Sequence, residues 1–299
     1  MFRRVLVATD LSSAAAHAVR AAAAAAKAAG AKLAVCHVMP NVLPTNMLFP
    51  QANNQAIVGD AELERKAGDA VEAHVDEVLG EGADVDVLIQ KGDPQVELPR
   101  AAEDWGADLL VTGSHGRTGV ERILLGSVAE KVVRLAPCSV LVVRSGGRSD
   151  VVLGATDLSD PSLPAIRAAA AMAQQRGAAL HVMHAVDVEG MVRLEALGGP
   201  FGVQPPPREL VQAMHDSARA ALDGAIARAG VEATPHLVEG SAAAAIVRTA
   251  EELQAGLVVI ATHGRTGIAR VLLGSVAEKV VRVAPCSVLA VRERAVRVA

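Results

Sequence analysis

Short apolar runs alternate with longer segments whose alanines, valines and leucines recur at helical spacing. In the first half the runs fall at 4–8, 32–38, 85–90, 109–112 and 139–143. They are mostly continuous rather than alternating in polarity, the pattern of parallel strands covered on both faces. Ser12 or Ser13 is placed to cap a first helix that stops at Gly30, a second helix spans 61–79, and a third follows Pro94, a residue suited to a first turn. A fourth begins near Gly126 and Ser127 and ends before Pro137. The second half repeats the series, with strands near 151–155, 180–185, 234–238, 257–261 and 287–291. This alternation predicts an α/β fold of two tandem domains, each a five-stranded parallel sheet sandwiched by helices. Irregular segments at 40–59 and 187–207 interrupt the two halves at equivalent places, where long loops are usually functional or disordered.

The halves are copies of one another. Between 113–144 and 261–292, 25 of 32 aligned positions are identical, which marks a duplicated domain rather than a solenoid of short units. The register shifts by one residue along the way, since Asp10 matches Asp157 whereas Gly116 matches Gly264. The polar, flexible stretch 145–149 places the boundary and gives domains 1–146 and 147–299. A chain of 299 residues suits two domains of about 150 residues, each large enough to bury a full core.

Composition narrows the classes of function. Hydrophobic residues make up 51% of the chain but aromatics only 1%, so alanine-rich helices lie close to a Val/Leu sheet. A net charge of −4 argues against a general nucleic-acid partner, which would call for a basic surface. Cys36, Cys138 and Cys286 are odd in number and lack CxxC spacing; they read as buried thiols in a reducing cytoplasm, with no metal or disulfide. The N-terminus enters a strand without a signal-peptide core, and the alanine run 21–26 is flanked by Arg20 and Lys27 and is too short to span a bilayer. The expectation is a cytoplasmic protein with no membrane partner.

In a doubly wound sheet the ligand crevice lies at the carboxyl ends of the strands where the winding reverses. If the strand order is 3-2-1-4-5, strands one and four meet there. The loop Ala8-Thr9-Asp10, with its equivalent Ala155-Thr156-Asp157, and the loop Gly113-Ser114-His115-Gly116 would then rim one crevice. The glycines allow a close approach of backbone to phosphate, and Gly126-Ser127 opens a helix whose free N–H groups and dipole favour an anion. No lysine precedes Ser127, so this is not a P-loop, and no GxGxxG follows the first strand. Asp10 and Asp157 read either as ligand contacts or as helix caps. Arg117 and Arg265 read either as phosphate clamps or as surface charge. His115 and His263 read as phosphate or backbone contacts, with no carboxylate evident to orient a catalytic base. His37 and His184 stay unassigned for want of metal-ligand spacing.

The pattern G-x2-G-x9-G-[ST], the early Val-Ala-Thr-Asp segment and the closing strand that begins Ala-Pro-Cys-Ser-Val-Leu resemble the universal stress protein family, and this chain resembles a tandem, two-domain, ATP-binding member. The resemblance implies a fold of the adenine-nucleotide alpha hydrolase type with ATP, accompanied by Mg²⁺, as ligand. It implicates Asp10, Val38, Gly113, His115, Gly116, Gly126, Ser127 and Val128 in the first half. In the second it implicates Asp157, Ala185, His263, Gly264, Gly274, Ser275 and Val276. One departure stands out: Ala261 takes the place of the first motif glycine. If that position needs a positive φ, alanine weakens the second site; if not, the methyl is harmless. The family also implies that the last strands of the two halves pair, and it makes a homodimer of tandem chains and an unidentified protein partner plausible.

Three functions remain open on this scaffold. The leading one is an ATP-binding, nucleotide-responsive regulator in the stress response, with no catalytic residues. The others are a slow ATPase or adenylate-transferring enzyme, and a nucleotide-free module that binds partners.

Overall fold

The computed structural model of the chain describes residues 2–40, 60–115, 125–144, 150–187, 207–262 and 273–292. The irregular segments and the 145–149 stretch therefore lie almost wholly outside the described residues. Those described form two compact units. One comprises Phe2–Glu121 and Gly126–Cys138, the other Arg122–Leu125 and Ser139–Ala299, each as far as described.

The first unit holds β1 (Arg4–Ala8), α1 (Ser13–Ala29), β2 (Lys32–Met39), α2 (Asp60–Leu79), β3 (Asp86–Lys91), α3 (Pro94–Trp105), β4 (Leu109–Gly113) and α4 (Ser127–Leu135). Its strands are parallel in the order β3-β2-β1-β4. Val5, Leu6 and Val7 on β1 and Leu109, Leu110 and Val111 on β4 are fully buried, so these strands are covered on both faces. Each fully buried Leu or Val contributes about 1.5–3 kcal/mol relative to exposure. The small side chains Ala15, Ala18, Ala22 and Ala26 form the buried stripe of α1 and let it lie close to β1 and β4. Gly30 closes that helix in the left-handed conformation, at φ 61°, where its N–H reaches the carbonyls of Ala26 and Lys27.

The second unit holds β5 (Ser139–Val143), β6 (Val151–Ala155), a 3₁₀ turn (Asp160–Ser162), α5 (Leu163–Arg176), β7 (Ala179–Val186), α6 (Arg208–Ala229), β8 (Thr234–Glu239), α7 (Ala242–Glu252), β9 (Leu257–Ala261), α8 (Ser275–Val283) and β10 (Ser287–Val291). Five strands are parallel in the order β8-β7-β6-β9-β10, with the winding reversal between β6 and β9. Gly154 on β6 lets α5 approach, because a Cβ there would lie 3.1 Å from Cβ of Ala169. The pairing expected of the last strands is present: β5 runs antiparallel to β10, with Leu141 opposite Leu289. β5 is grouped with the second compact unit. Arg144, just beyond β5, donates to the carbonyls of Val281 (3.0 Å) and Arg282 (3.1 Å) at the C-terminal end of α8, and burial lowers the pKa of its guanidinium.

All three cysteines are buried and free of disulfides. Burial pushes the Cys36 thiol up to about 12 and the Cys286 thiol up to about 11, so both stay protonated and unreactive at neutral pH.

Candidate functional site

The tip of β1 is built the same way in both units. The Thr9 N–H donates to the Cys36 carbonyl at 2.9 Å, which ties the tip to β2. Oγ1 of Thr9 accepts from the Leu11 N–H at 3.0 Å. Oδ1 of Asp10 accepts from the Ser12 N–H at 3.1 Å and from its hydroxyl at 2.5 Å. These bonds hold Leu11 at φ 65°, a left-handed backbone that L-residues adopt at a cost of about 1–2 kcal/mol. In the second unit Leu158 N–H meets Oγ1 of Thr156 at 3.0 Å, Ser159 meets Oδ1 of Asp157 at 3.0 and 2.5 Å, and Leu158 sits at φ 68°. A strained leucine fixed twice by the same three polar residues belongs to the construction of the site.

The capping role weighed for Asp10 belongs to Ser12, whose Oγ accepts from the Ala15 N–H at 3.2 Å. Asp10 holds Ser12 in turn. In the second unit the chain enters α5 through the 3₁₀ turn, where Pro161 falls and Ser162 Oγ donates to the Ser159 carbonyl.

The tips of β4 and β9 supply the other side. The Gly126 N–H donates to the Ser114 carbonyl at 2.9 Å, and the Gly274 N–H to the Thr262 carbonyl at 2.9 Å. A Cβ at either glycine would lie 3.2 Å from that carbonyl oxygen, so close approach of the backbone explains both glycines. Their backbones are extended, with φ −64° and −60°, not left-handed. Among the described residues neither N-cap carries a side-chain hydrogen bond, and the first-turn N–H groups of α4 and α8 can hold an anion. His115 adds a ring whose Nδ1 lies 3.0 Å from Oγ of Ser114 and whose buried Nε2 has no hydrogen-bond partner among the described residues. Polar groups in this state suit a bound anion, and the residues present fit a nucleotide.

Between these tips lies a cavity of about 310 Å³ in the first unit and one of about 360 Å³ in the second. Ala8, Thr9, Asp10, Val38, Gly113, His115, Gly126, Ser127 and Val128 all line the first. Ala155, Thr156, Asp157, Ala185, Ala261, Gly274, Ser275 and Val276 all line the second. Gly116, Arg117, His263, Gly264 and Arg265 lie outside the described residues. Gly113 and Ala261 both end strands and neither has a positive φ, so the backbone penalty considered for alanine does not arise. What remains is the methyl itself: a Cβ at Gly113 would lie 3.2 Å from the His115 carbonyl.

The sequence did not point to the apolar walls, Ala15, Pro94 and Leu98 in the first cavity and Met183, Ala242 and Ile246 in the second. Nor did it assign His37 and His184, which line the two cavities and bond the carbonyls of Thr9 (2.8 Å) and Thr156 (2.9 Å). The available signal was their recurrence at equivalent strand ends. Ile260 lines the second cavity where Thr112 lines the first, making that wall more apolar. Among the described residues no cluster of three or more His, Cys, Asp or Glu is arranged to hold a metal, and no helix is long and apolar enough to cross a membrane.

The model of the universal stress protein family matches residues 1–144 and again 149–292. A Staphylococcus epidermidis protein bearing the universal stress protein name is 48% identical over 62 residues, which is 20% of this chain and only 37% of that relative's length. A universal stress protein of Methanocaldococcus jannaschii is 36% identical over 138 residues, 46% of this chain and 79% of its own. One from Bacillus subtilis is 31% identical over 150 residues, 48% of this chain and 100% of its own. Among solved structures, a universal stress protein from Archaeoglobus fulgidus aligns over 97% of this chain and 96% of its own at 22% identity, with a TM-score of 0.60. A functionally unknown protein from Pseudomonas aeruginosa aligns over 98% and 93% at 21% identity, with a TM-score of 0.66. These two likenesses show the shared fold. Matched by the family model along both of its halves, the chain belongs to the universal stress protein family.

Proposed function

We propose that this protein binds ATP, accompanied by Mg²⁺, in each of its two cavities and acts as a nucleotide-responsive regulator in a stress response. The observation that carries the reading is the recurrence of one donor set. Asp10 and the uncapped start of α4 line one cavity, and Asp157 and the uncapped start of α8 line the other. In this reading the N–H groups of the first helical turn hold phosphate oxygens, helped by the helix dipole. Asp10 and Asp157 accept from ribose hydroxyls, and the base lies at the β2 or β7 end beside Val38 or Ala185. Mg²⁺ supplies charge screening for the phosphates. Arg117 and Arg265 are the sequence-adjacent cations that would clamp them.

Regulation follows if one conformation or assembly binds ATP better than another, since only differential affinity shifts such an equilibrium. Hydrolysis is not the purpose of the site in this reading. The ring nitrogen of His115 that has a partner bonds a serine hydroxyl, not a carboxylate that would orient it as a base.

The test is mass spectrometry of nucleotide released from the denatured, purified protein, followed by calorimetric titration of the emptied protein with ATP. Intact ATP and two equivalents bound support the reading; a protein that stays empty at saturating ATP overturns it. Steady turnover in the ordinary enzyme range, roughly 1–1000 per second, moves the protein into the enzyme class.

A further inference from the structure

His37 ends in a position that the sequence reading left unassigned. It stands near the end of β2, lines the first cavity, and brings Nδ1 within 2.8 Å of the Thr9 carbonyl oxygen. A carbonyl only accepts, so Nδ1 carries the proton, and in the neutral ring Nε2 is then an acceptor with no N–H of its own. The second unit repeats the contact, with Nδ1 of His184 at 2.9 Å from the Thr156 carbonyl. The tautomer is thus fixed by the same backbone oxygen that leads into the Asp turn.

The order β3-β2-β1-β4 sets what that acceptor meets. Asp10 follows the central strand β1, the phosphate-type donors follow β4 on one side, and His37 lies on β2 at the other. The cavity includes Val38, Pro94 and Leu98, apolar surface suited to the flat faces of a base. Thr9 already uses its hydroxyl oxygen on the Leu11 N–H, and Asp10 uses Oδ1 on Ser12. On the β2 side of the cavity, beside Val38, His37 is the residue that carries a side-chain hydrogen-bonding atom toward the polar edge of a base.

Resting on the ATP reading above, we propose that His37 is the base-selecting residue of the first site: Nε2 accepts from the 6-amino group of a purine and rejects a 6-oxo purine, whose carbonyl would face it acceptor to acceptor. A site built to accept from a ligand N–H discriminates against an analogue lacking it, because both facing atoms are left unpaired.

The experiment compares ATP with ITP, which differ in the 6-position group, by calorimetry in mildly alkaline buffer. The full chain carries Gly274→Val so that the first cavity is read alone. The expected result is a preference for ATP of about tenfold or more, which His37→Phe removes while ribose 5-triphosphate binds as before. His37→Gln, whose amide offers either a donor or an acceptor, accepts both nucleotides and carries the test if the Phe variant does not fold. Equal binding of ATP and ITP by the starting protein, or an undiminished preference in both variants, overturns the base-selecting role and leaves ATP binding intact. Binding of neither nucleotide overturns the ATP reading and this inference together.

Discussion

Asp10 has two oxygen atoms and two kinds of work, and substitution separates them. Oδ1 holds Ser12, which caps α1, while the negative charge belongs to the cavity. Asp10→Asn keeps an oxygen for Ser12 and removes the charge. We expect its melting temperature to stay close to that of the parent, with ATP affinity at the first site falling about tenfold or more in calorimetry. Ser12→Ala does the reverse: loss of the cap destabilises by about 1 kcal/mol in denaturant unfolding, with affinity little changed. Equal effects of both variants on both readouts would contradict this division. At Ala261 the correction from the backbone matters. With no positive φ to relieve, Ala261→Gly is expected to change second-site affinity less than about fivefold, which is about 1 kcal/mol. The aspartates and glycines were legible because they recur at fixed spacing. The left-handed leucines were not, because they follow from local turns of Thr9, Asp10 and Ser12 that hydrophobic periodicity does not register, and His37 was not, because its partner, Thr9, lies 28 residues away in sequence.

At the scale of elements the apolar runs were a close guide. Arg4–Ala8, Ser139–Val143, Val151–Ala155, Leu257–Ala261 and Ser287–Val291 are strands at the predicted limits, β3 is shifted by one residue, and the others extend by a residue or two. The hydrophobic pattern could not foresee the 3₁₀ entry to α5, because it turns on Pro161 and the Ser162 hydroxyl rather than on periodicity. Nor could it foresee a histidine pair on β7 and β8. Nδ1 of His181 and Nε2 of His236 are 2.7 Å apart with the rings stacked at a 4.9 Å centroid distance, so one proton serves both nitrogens. Burial, His181 and then Arg219 lower the pKa of His236. The unfolded chain therefore takes up this proton first as pH falls, and stability drops as pH goes below about 6.5, the unfolded value, until the lowered folded value is passed. In the first unit the corresponding register positions hold Ala34 and Leu88. His236→Leu is expected to flatten this part of the stability–pH curve in urea unfolding between mildly acidic and neutral pH; an unchanged slope would remove the pair from the account.

The whole molecule makes its sites by duplication, and the repeat was the plainest signal in the chain. The apolar run at 139–143 does not name its partner by burial alone; the expectation that it pairs with the last strand of the other half came from the family resemblance, and the antiparallel β5–β10 pairing is present. Each unit encloses its own cavity from its own residues, so nucleotide binding should count in whole sites. We expect two ATP per chain. Gly126→Val sets a branched side chain against the Ser114 carbonyl, already 3.2 Å from a bare Cβ, at the mouth of the α4 N-terminus. It should lower the stoichiometry to one while circular dichroism stays that of the parent. Gly274→Val, blocked by the Thr262 carbonyl at the same 3.2 Å, should do so from the other side, and the double variant should bind none. Ligand linkage supplies an independent reading. ATP at about one hundred times its dissociation constant stabilises a folded unit by about 2.7 kcal/mol per site. Each single variant should accordingly retain part of the thermal shift and the double variant lose it. A double variant that still melts higher with ATP would mean that the nucleotide binds somewhere other than these two cavities.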